Sequence, residues 1–508
     1  MRLARASALA VAVFTIAAAA RTAGAAQAGA TDAVPDGGAP APVVTPAGAD
    51  GGVAEESTGS LFEQSLAASE KPAGAPPGAA PVLPVAIGGY MRGDTFIGRV
   101  PNENQGLVTA AYGELSLNVR TAKGEHGDGF AEVRFRYGLQ GEAQGLLIDA
   151  REAYANVYAG PFDLRLGQQI VVWGRADALN PTNNLTPFDL RIRSPIEDDR
   201  RLGNVGARAN LRLSPVRLEG VWLPIYRPSE LPVVILPQFV GFGPPTFPAP
   251  TLQNGLGAGR LHLELASFEL SVSYLRGYAP LPGLTLASLA FDPVTPQVLV
   301  SRTAYNQHVV GFDLSTTIGQ VGIRAEAAYR LPIDYKSRSY AARPDVQYVL
   351  GADHTFGSVS VIAQYMGRFV FDWQKENGSA MARADPNAIG TTLMMPYSAN
   401  LEASAIMGVN AELLRINQIL FNQTAELQHV ATARVEWTCL HDTLSIAALG
   451  FVNFTTHEWL AAPKIGYKLS DQMTAYLGAE IFYGPEGTLF GLIDQTLTAG
   501  YAELRASF

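Results

Sequence analysis

From residue 83 onward the chain repeats one pattern: segments of about 10 to 14 residues in which apolar and polar side chains alternate. A period of two puts successive side chains on opposite faces of a strand. In 130–139, Ala131, Val133, Phe135, Tyr137 and Leu139 share one face, and Glu132, Arg134 and Arg136 share the other. Segments 205–213, 321–331 and 431–439 repeat the arrangement with Arg208, Arg212, Arg324, Glu326, Arg434 and Glu436 on the polar side. Strands of soluble sheets average about five or six residues, roughly half of this. Strands of this length, apolar on one face and charged on the other, suit a wall with lipid on one side and water on the other.

The connections constrain the fold further. One set is tight, at 159–161, 214–215, 266–267, 318–320, 356–358, 440–442 and 469–471. The other is mostly long, at 173–203, 227–255, 278–302, 333–344, 371–425 and 485–494. Short turns at one rim and long loops at the other are the mark of an outer-membrane barrel. The expected fold is therefore all-β: a transmembrane antiparallel β-barrel over 83–508, with about 18 strands, short periplasmic turns and long extracellular loops. Tyr137, Trp222, Tyr274, Tyr329, Tyr365 and Trp437 fall on apolar faces, several near strand ends, where interfacial girdles are expected. The last alternating segment, 496–508, ends on Phe508. Its likeness to outer-membrane proteins in general implies that this residue is the signal read by the barrel-insertion machinery.

Ahead of the barrel, Arg2 and Arg5 precede an unbroken small and apolar run, 6–20, followed by Ala23-Gly24-Ala25. That is the layout of a cleaved signal peptide, placed at 1–25. Residues 26–82 are rich in Ala, Gly and Pro, as in Pro76-Pro77-Gly78, and read as a disordered periplasmic linker. Cys439 is the single cysteine, so no internal disulfide is expected. The net charge of −9 argues against nucleic acid as a partner. Outer-membrane lipids and a small-molecule solute are the expected partners instead.

The stretch 163–174 carries Gly167-x-Gln169-x-Val171-x-Trp173-Gly174, followed by Asn180-Pro181 and Pro187-Phe188-Asp189-Leu190. Together with Arg151-Glu152-Ala153-Tyr154, it resembles an uncharacterised family of proteobacterial outer-membrane barrels related to the alginate-export porins. The resemblance covers about 145–225 and implies fold and location; some members accompany pathways that degrade hydrophobic compounds. The loop lacks a second Asn-Pro before Phe188, so the motif is loose and the substrate stays open.

Parity points Arg134, Arg136, Glu152, Arg165, Arg208, Arg212, Arg324, Glu326, Arg434 and Glu436 into the lumen as pore-lining candidates. Inward cations outnumber the inward glutamates that parity identifies. Arg–Glu ladders bracing the wall are one reading, and a net positive pore selecting anions is the sharper one. The loop after Trp173 holds Arg175, Asp177, Asn180, Asn183 and Asn184, which would form a constriction if the loop folds inward. Segments 231–240, 281–300 and 412–421 are apolar; the last suggests a short helix. They are expected either to pack over the mouth or to capture a greasy solute. No nucleophile motif or paired His or Cys spacing accompanies the seven histidines, so neither an enzyme, nor a metal site, nor a cofactor is expected. The expected function is an outer-membrane channel or porin passing small solutes, anionic or hydrophobic. The alternative is a non-transport barrel whose outer loops act as an adhesin or receptor platform.

Overall fold

The computed structural model describes residues 85–99, 106–140, 143–177, 180–230, 239–374 and 386–508. The expected signal peptide, the linker and most of the apolar segment 231–240 lie outside the described residues.

Alternation becomes strand throughout. The first seven are β1 (Val85–Arg99), β2 (Gly106–Thr121), β3 (Gly127–Gln140), β4 (Ala143–Ala159), β5 (Phe162–Gln169), β6 (Asn204–Leu213) and β7 (Val216–Leu223). After the short β8 (Val240–Phe242) come β9 (Leu256–Glu264), β10 (Phe268–Tyr278), β11 (Gly283–Ala290) and β12 (Gln297–Thr303). Then follow β13 (Asn306–Ile318), β14 (Val321–Pro332), β15 (Asp345–Phe356), β16 (Val359–Val370) and β17 (Leu427–Cys439). The last four are β18 (Leu444–Asn453), β19 (Glu458–Ser470), β20 (Met473–Tyr483) and β21 (Ala499–Ser507).

Eighteen of these form one antiparallel sheet, each paired with its neighbours in chain order. The sheet closes where β1 meets β21, from Tyr90–Ser507 to Gly98–Ala499. Gly89 and Phe508 complete the seam by exchanging both backbone hydrogen bonds at 3.0 Å. Closure removes every edge, which is the condition for spanning a bilayer with strands. Outward residues such as Ile87, Leu146, Leu166, Val272, Leu350, Ile465 and Leu477 are exposed. An apolar belt of that extent belongs against lipid, not water. All six aromatics expected in the girdle are exposed on this face. No helix among the described residues is long and apolar enough to cross a membrane.

One rim carries only tight turns, among them 160–161, 214–215, 319–320, 357–358 and 471–472. The other carries 170–203, 224–255, 279–305, 333–344, 371–426 and 484–498, but also the short 141–142 and 454–457. Length is thus restricted at one rim and unrestricted at the other.

Three expectations need correction at the long-loop rim. The segment 281–300 is not a plain loop, because β11, β12 and β8 form a separate three-stranded sheet. The expected short helix is the last part of a longer one; the helices here are α1 (Pro386–Leu393), α2 (Ala399–Leu420) and α3 (Leu489–Leu497). Ser398 caps α2 by accepting from Leu401 N at 3.3 Å, extending it well before residue 412. The final strand starts at Ala499 and not at 496, because Thr488 accepts from Gly491 N at 3.2 Å and nucleates α3 there. Periodicity read by twos does not see such caps.

Candidate functional site: the lumen loop and the wall it faces

Alternate strand residues meet in the lumen, where they form a lattice of ion pairs. Glu114 lies 2.9 Å from Arg92 and also pairs with Arg136. Arg208 reaches Glu219 at 2.9 Å, Arg212 reaches Asp163 at 2.6 Å, and Arg217 reaches Glu264 at 2.9 Å. Farther round, Arg260–Asp313 is 2.7 Å, Arg324–Asp353 2.9 Å, Arg330–Asp345 2.7 Å and Arg434–Glu436 2.6 Å. Arg165 stacks over the Tyr154 ring at 3.9 Å and donates to Asn156 Oδ1 at 2.8 Å. Arg136, Arg165, Arg208, Arg212, Arg324, Arg434 and Glu436 of the candidates thus lie on this charged inner face. Charge balance is the correction. Asp94, Asp163, Asp313, Asp345 and Asp353 also face in, and the sequence count held only glutamates. Aspartate is depleted in strands; here a guanidinium beside each one offsets its burial.

A bulge adds a residue that parity could not find. The β3–β4 register shifts between Glu132 and Val133, leaving Arg151 with no opposite number. Arg151 is buried, and its Nη2 reaches Asp198 Oδ2 at 2.5 Å. Beside it, Glu152 accepts from Ile170 N at 2.8 Å, at the point where the chain leaves β5.

The connection 170–203 folds into the barrel. Val171, Trp173 and Leu185 pack on Val221, Leu223, Leu256, Leu275, Val309 and Ala328 of the wall. Trp173 is fully buried, and its Nε1 donates to Glu219 Oε1 at 2.9 Å. Gly174 then turns the chain at φ +105°, where a Cβ would sit 1.9 Å from Asn180 Oδ1. This accounts for Gly in the Trp-Gly pair. Next, Glu326 of β14 receives the backbone N–H groups of Arg175 (3.0 Å), Ala176 (3.0 Å) and Thr182 (2.7 Å). The Thr182 hydroxyl donates to the same carboxylate at 2.8 Å. Arg175 Nε lies 2.9 Å from Asp313 and its Nη1 pairs with Glu269. Burial works against the Arg175 charge, but these two carboxylates outweigh it and raise its pKa above the ordinary value.

Farther along, the loop is pinned to a different part of the ring. Asp199 lies 2.6 Å from Arg92 and 2.7 Å from Arg134. Burial would raise its carboxyl pKa, yet Arg92, Arg134 and Arg151 together hold it well below the usual carboxylate range. Tyr112 donates to the Arg193 carbonyl at 2.7 Å. The Arg193 guanidinium sits over Phe96, donates to Leu497 O at 3.1 Å and lies 3.7 Å from Glu480.

The expected constriction residues thus divide. Arg175 and Asp177 belong to the inward face, and Asp177 is near enough to Glu436 to act on it electrostatically. The asparagines build the turn itself. Asn180 Oδ1 accepts from Asn183 N at 3.2 Å, and Asn184 Nδ2 donates to Pro181 O at 2.8 Å. Asp199 sits in the charged run 197–201, and nothing in the local sequence marks it as the latch.

Strand order shows which part of the wall the loop's ion pairs and hydrogen bonds do not reach. It leaves the wall between β5 and β6, and half the ring away lie β17 and β18. Its ion pairs and hydrogen bonds reach β14 one way and β20 the other, so the arc β15–β19 faces it. On that arc, chemistry changes with depth. Toward the long-loop rim the inward side chains are Val349, Met366, Val430, Phe451 and Leu460, all buried. Deeper along the same strands come Arg434, Glu436 and Lys464.

Helices cover the apolar storey. The Phe490 ring of α3 is centred 5.2 Å from Phe451 and 5.4 Å from Phe482. Val409, Leu413 and Leu420 of α2 join the same cluster. Asn417 ties α2 to β11, accepting from Leu284 N at 2.8 Å and donating to Leu284 O at 2.9 Å. Packing over the mouth is one of the two expectations for 412–421, and α2 lies there over more of its length than that segment.

No protein-family model matches this chain, and none of the curated proteins does. Among solved structures it is similar to Pseudomonas aeruginosa OccK9 (OpdG), at 9% identity and TM-score 0.48, covering 84% of this chain and 97% of that one. Pseudomonas aeruginosa OpdK with vanillate gives 10% and 0.47, with 84% and 98% covered. A BenF-like porin from Pseudomonas fluorescens Pf-5 gives the same four values. At such identities no residue's role is carried across, and the barrel rests on its own strand pairings.

Proposed function

We propose that this chain is a passive channel for small solutes in a bacterial outer membrane, exported through the signal peptide at 1–25 and inserted by way of its C-terminal strand. The observation that carries the reading is the loop 170–203, drawn across the lumen and fixed on both sides. An 18-stranded barrel is too wide for wall side chains alone to fill. A loop held across it narrows the water path to the side of β15–β19, as in a selective pore rather than an open sieve. That side of the wall carries an apolar storey closed over by α2 and α3, with Arg434, Glu436 and Lys464 beneath it, and a solute would pass it where those helices give way. This order suits molecules that join an apolar body to a charged group; Lys464, standing beside the Arg434–Glu436 pair, is the cation that would draw an anionic one.

Refolded protein in planar bilayers tests this. Discrete single-channel steps are expected, with a reversal potential under a salt gradient displaced toward anions. Cation preference would remove the anionic part alone. A silent bilayer, with protein shown to be inserted, would remove the channel. The second reading, a receptor or adhesin platform, would then take its place. It draws support from the exposed Met394, Met395, Tyr397 and Met407 around α1 and α2.

A further inference from the structure

One group of side chains on the outside of the barrel has no part in the lumen. On the lipid-facing side, one register row crosses five strands near the long-loop rim: Trp222, Gly257, Arg276, His308 and Leu331. Arg276 is exposed, although its neighbours on the same face of β10, Tyr274 and Val272, belong to the apolar belt. It makes no ion pair with any described residue. A guanidinium on this face is tolerable only where it reaches the membrane interface, and Arg276 stands two residues from the end of β10.

His308 lies directly opposite Arg276 and is held in place. Tyr274 Oη is 2.7 Å from His308 Nδ1, and the two rings stack at 27°. Nδ1 is committed to the tyrosine, which leaves Nε2 for another partner on a ring in register with Arg276. Gly257, on the other side of Arg276, places no side chain in the row, and a Cβ there would meet nothing within 4 Å. Trp222 bounds the gap beyond it. The row thus sets an indole, a position with no side chain, a guanidinium and an imidazole side by side on the lipid-facing surface, and we treat the gap at Gly257 as a notch.

We infer that this notch binds the phosphate of an outer-leaflet glycolipid headgroup, with Arg276 as the charge and His308 as the oriented second donor. The inference rests on the outer-membrane reading above. The barrel contains its own control. Tyr365 and His429 form a second stacked pair on the same face near the same rim, with Oη and Nδ1 2.5 Å apart, but Gly367 stands opposite His429 where the first pair has arginine. That pair lacks the cation and is not expected to hold phosphate.

The test uses the full chain refolded into nanodiscs of phosphatidylethanolamine with lipid A, released in mild detergent and weighed by native mass spectrometry. Wild type is expected to retain one lipid A, and dephosphorylated lipid A is not expected to be retained. R276Q should lower retention at least tenfold, H308Q by a smaller factor, and H429Q should leave it unchanged. Heat-modifiable gel mobility shows whether each variant forms the barrel, and R276K, which keeps charge, covers a folding failure of R276Q by retaining partial binding. Equal retention by wild type and R276Q, or equal retention of the dephosphorylated lipid, overturns the site. Failure of the wild type to enter the nanodisc would instead overturn the membrane reading on which the site depends.

Discussion

At the scale of single residues, the most consequential group is Asp199. It is a loop carboxylate with guanidinium ions from two strands within 2.7 Å. Asp199→Asn removes the carboxylate that Arg92 and Arg134 share, but Arg92 keeps Glu114 and Arg134 keeps Glu132, so the cost should fall below the about 3–5 kcal/mol of a buried pair broken outright. The expected result is a lower urea midpoint for the refolded barrel and a larger, noisier conductance as the loop loosens. The pH response follows from the depressed carboxyl pKa. A group held below its unfolded value stabilises the folded state above that value, about 3.9 for Asp, and loses the contribution as pH falls through the folded one. Conductance should therefore be insensitive to this latch between pH 5 and 8. It should rise only in strong acid, below about pH 4, and in Asp199→Asn that acid step should be missing. An acid step kept by the variant would assign it to another group.

At the scale of elements, α3 closes the apolar storey of the wall facing the lumen loop. Phe490 and Ile493 are its fully buried anchors, and its last carbonyl accepts from Arg193 of the loop. Replacing 489–497 by a Gly/Ser linker should leave barrel formation intact, since the helix lies outside the β20–β21 ladder. Single-channel conductance should rise at the same time, and unchanged conductance would place the closure elsewhere. The elements also show what sequence can reveal. Strands such as β3 and β17 were legible because lipid on one face and water on the other impose a strict period of two. The same period puts Arg134, Arg136, Arg434 and Glu436 on the charged inner face. Arg151 was not, because a bulge shifts parity by one. Helix α2 was legible only in its final turns, because its cover over the mouth depends on contacts with β11 that no local pattern carries. The partners of Glu326 stand some 150 residues away along the chain, out of reach of any local reading.

At the scale of the whole molecule, the ring closes through one seam, β1 with β21, and Phe508 is the last residue in it. Deleting Phe508 removes the exchanged pair with Gly89 and the terminal aromatic together. If this residue is the assembly signal, heat-modifiable barrel in cells should fall several-fold, while refolding of the purified chain in detergent stays close to wild type. Equal loss in both settings would make Phe508 a seam residue only. The lumen loop has a further consequence at this scale. A wide, thin-walled tube under the side pressure of a bilayer deforms most readily by flattening, since ovalising it bends the wall without breaking a hydrogen bond. The loop, held by Glu326 of β14 at one end and through Asp199 by Arg92 and Arg134 at the other, acts as a cross-tie between distant parts of that tube. It opposes flattening much as a spoke keeps a wheel round, so cutting it should soften the barrel as well as widen its passage.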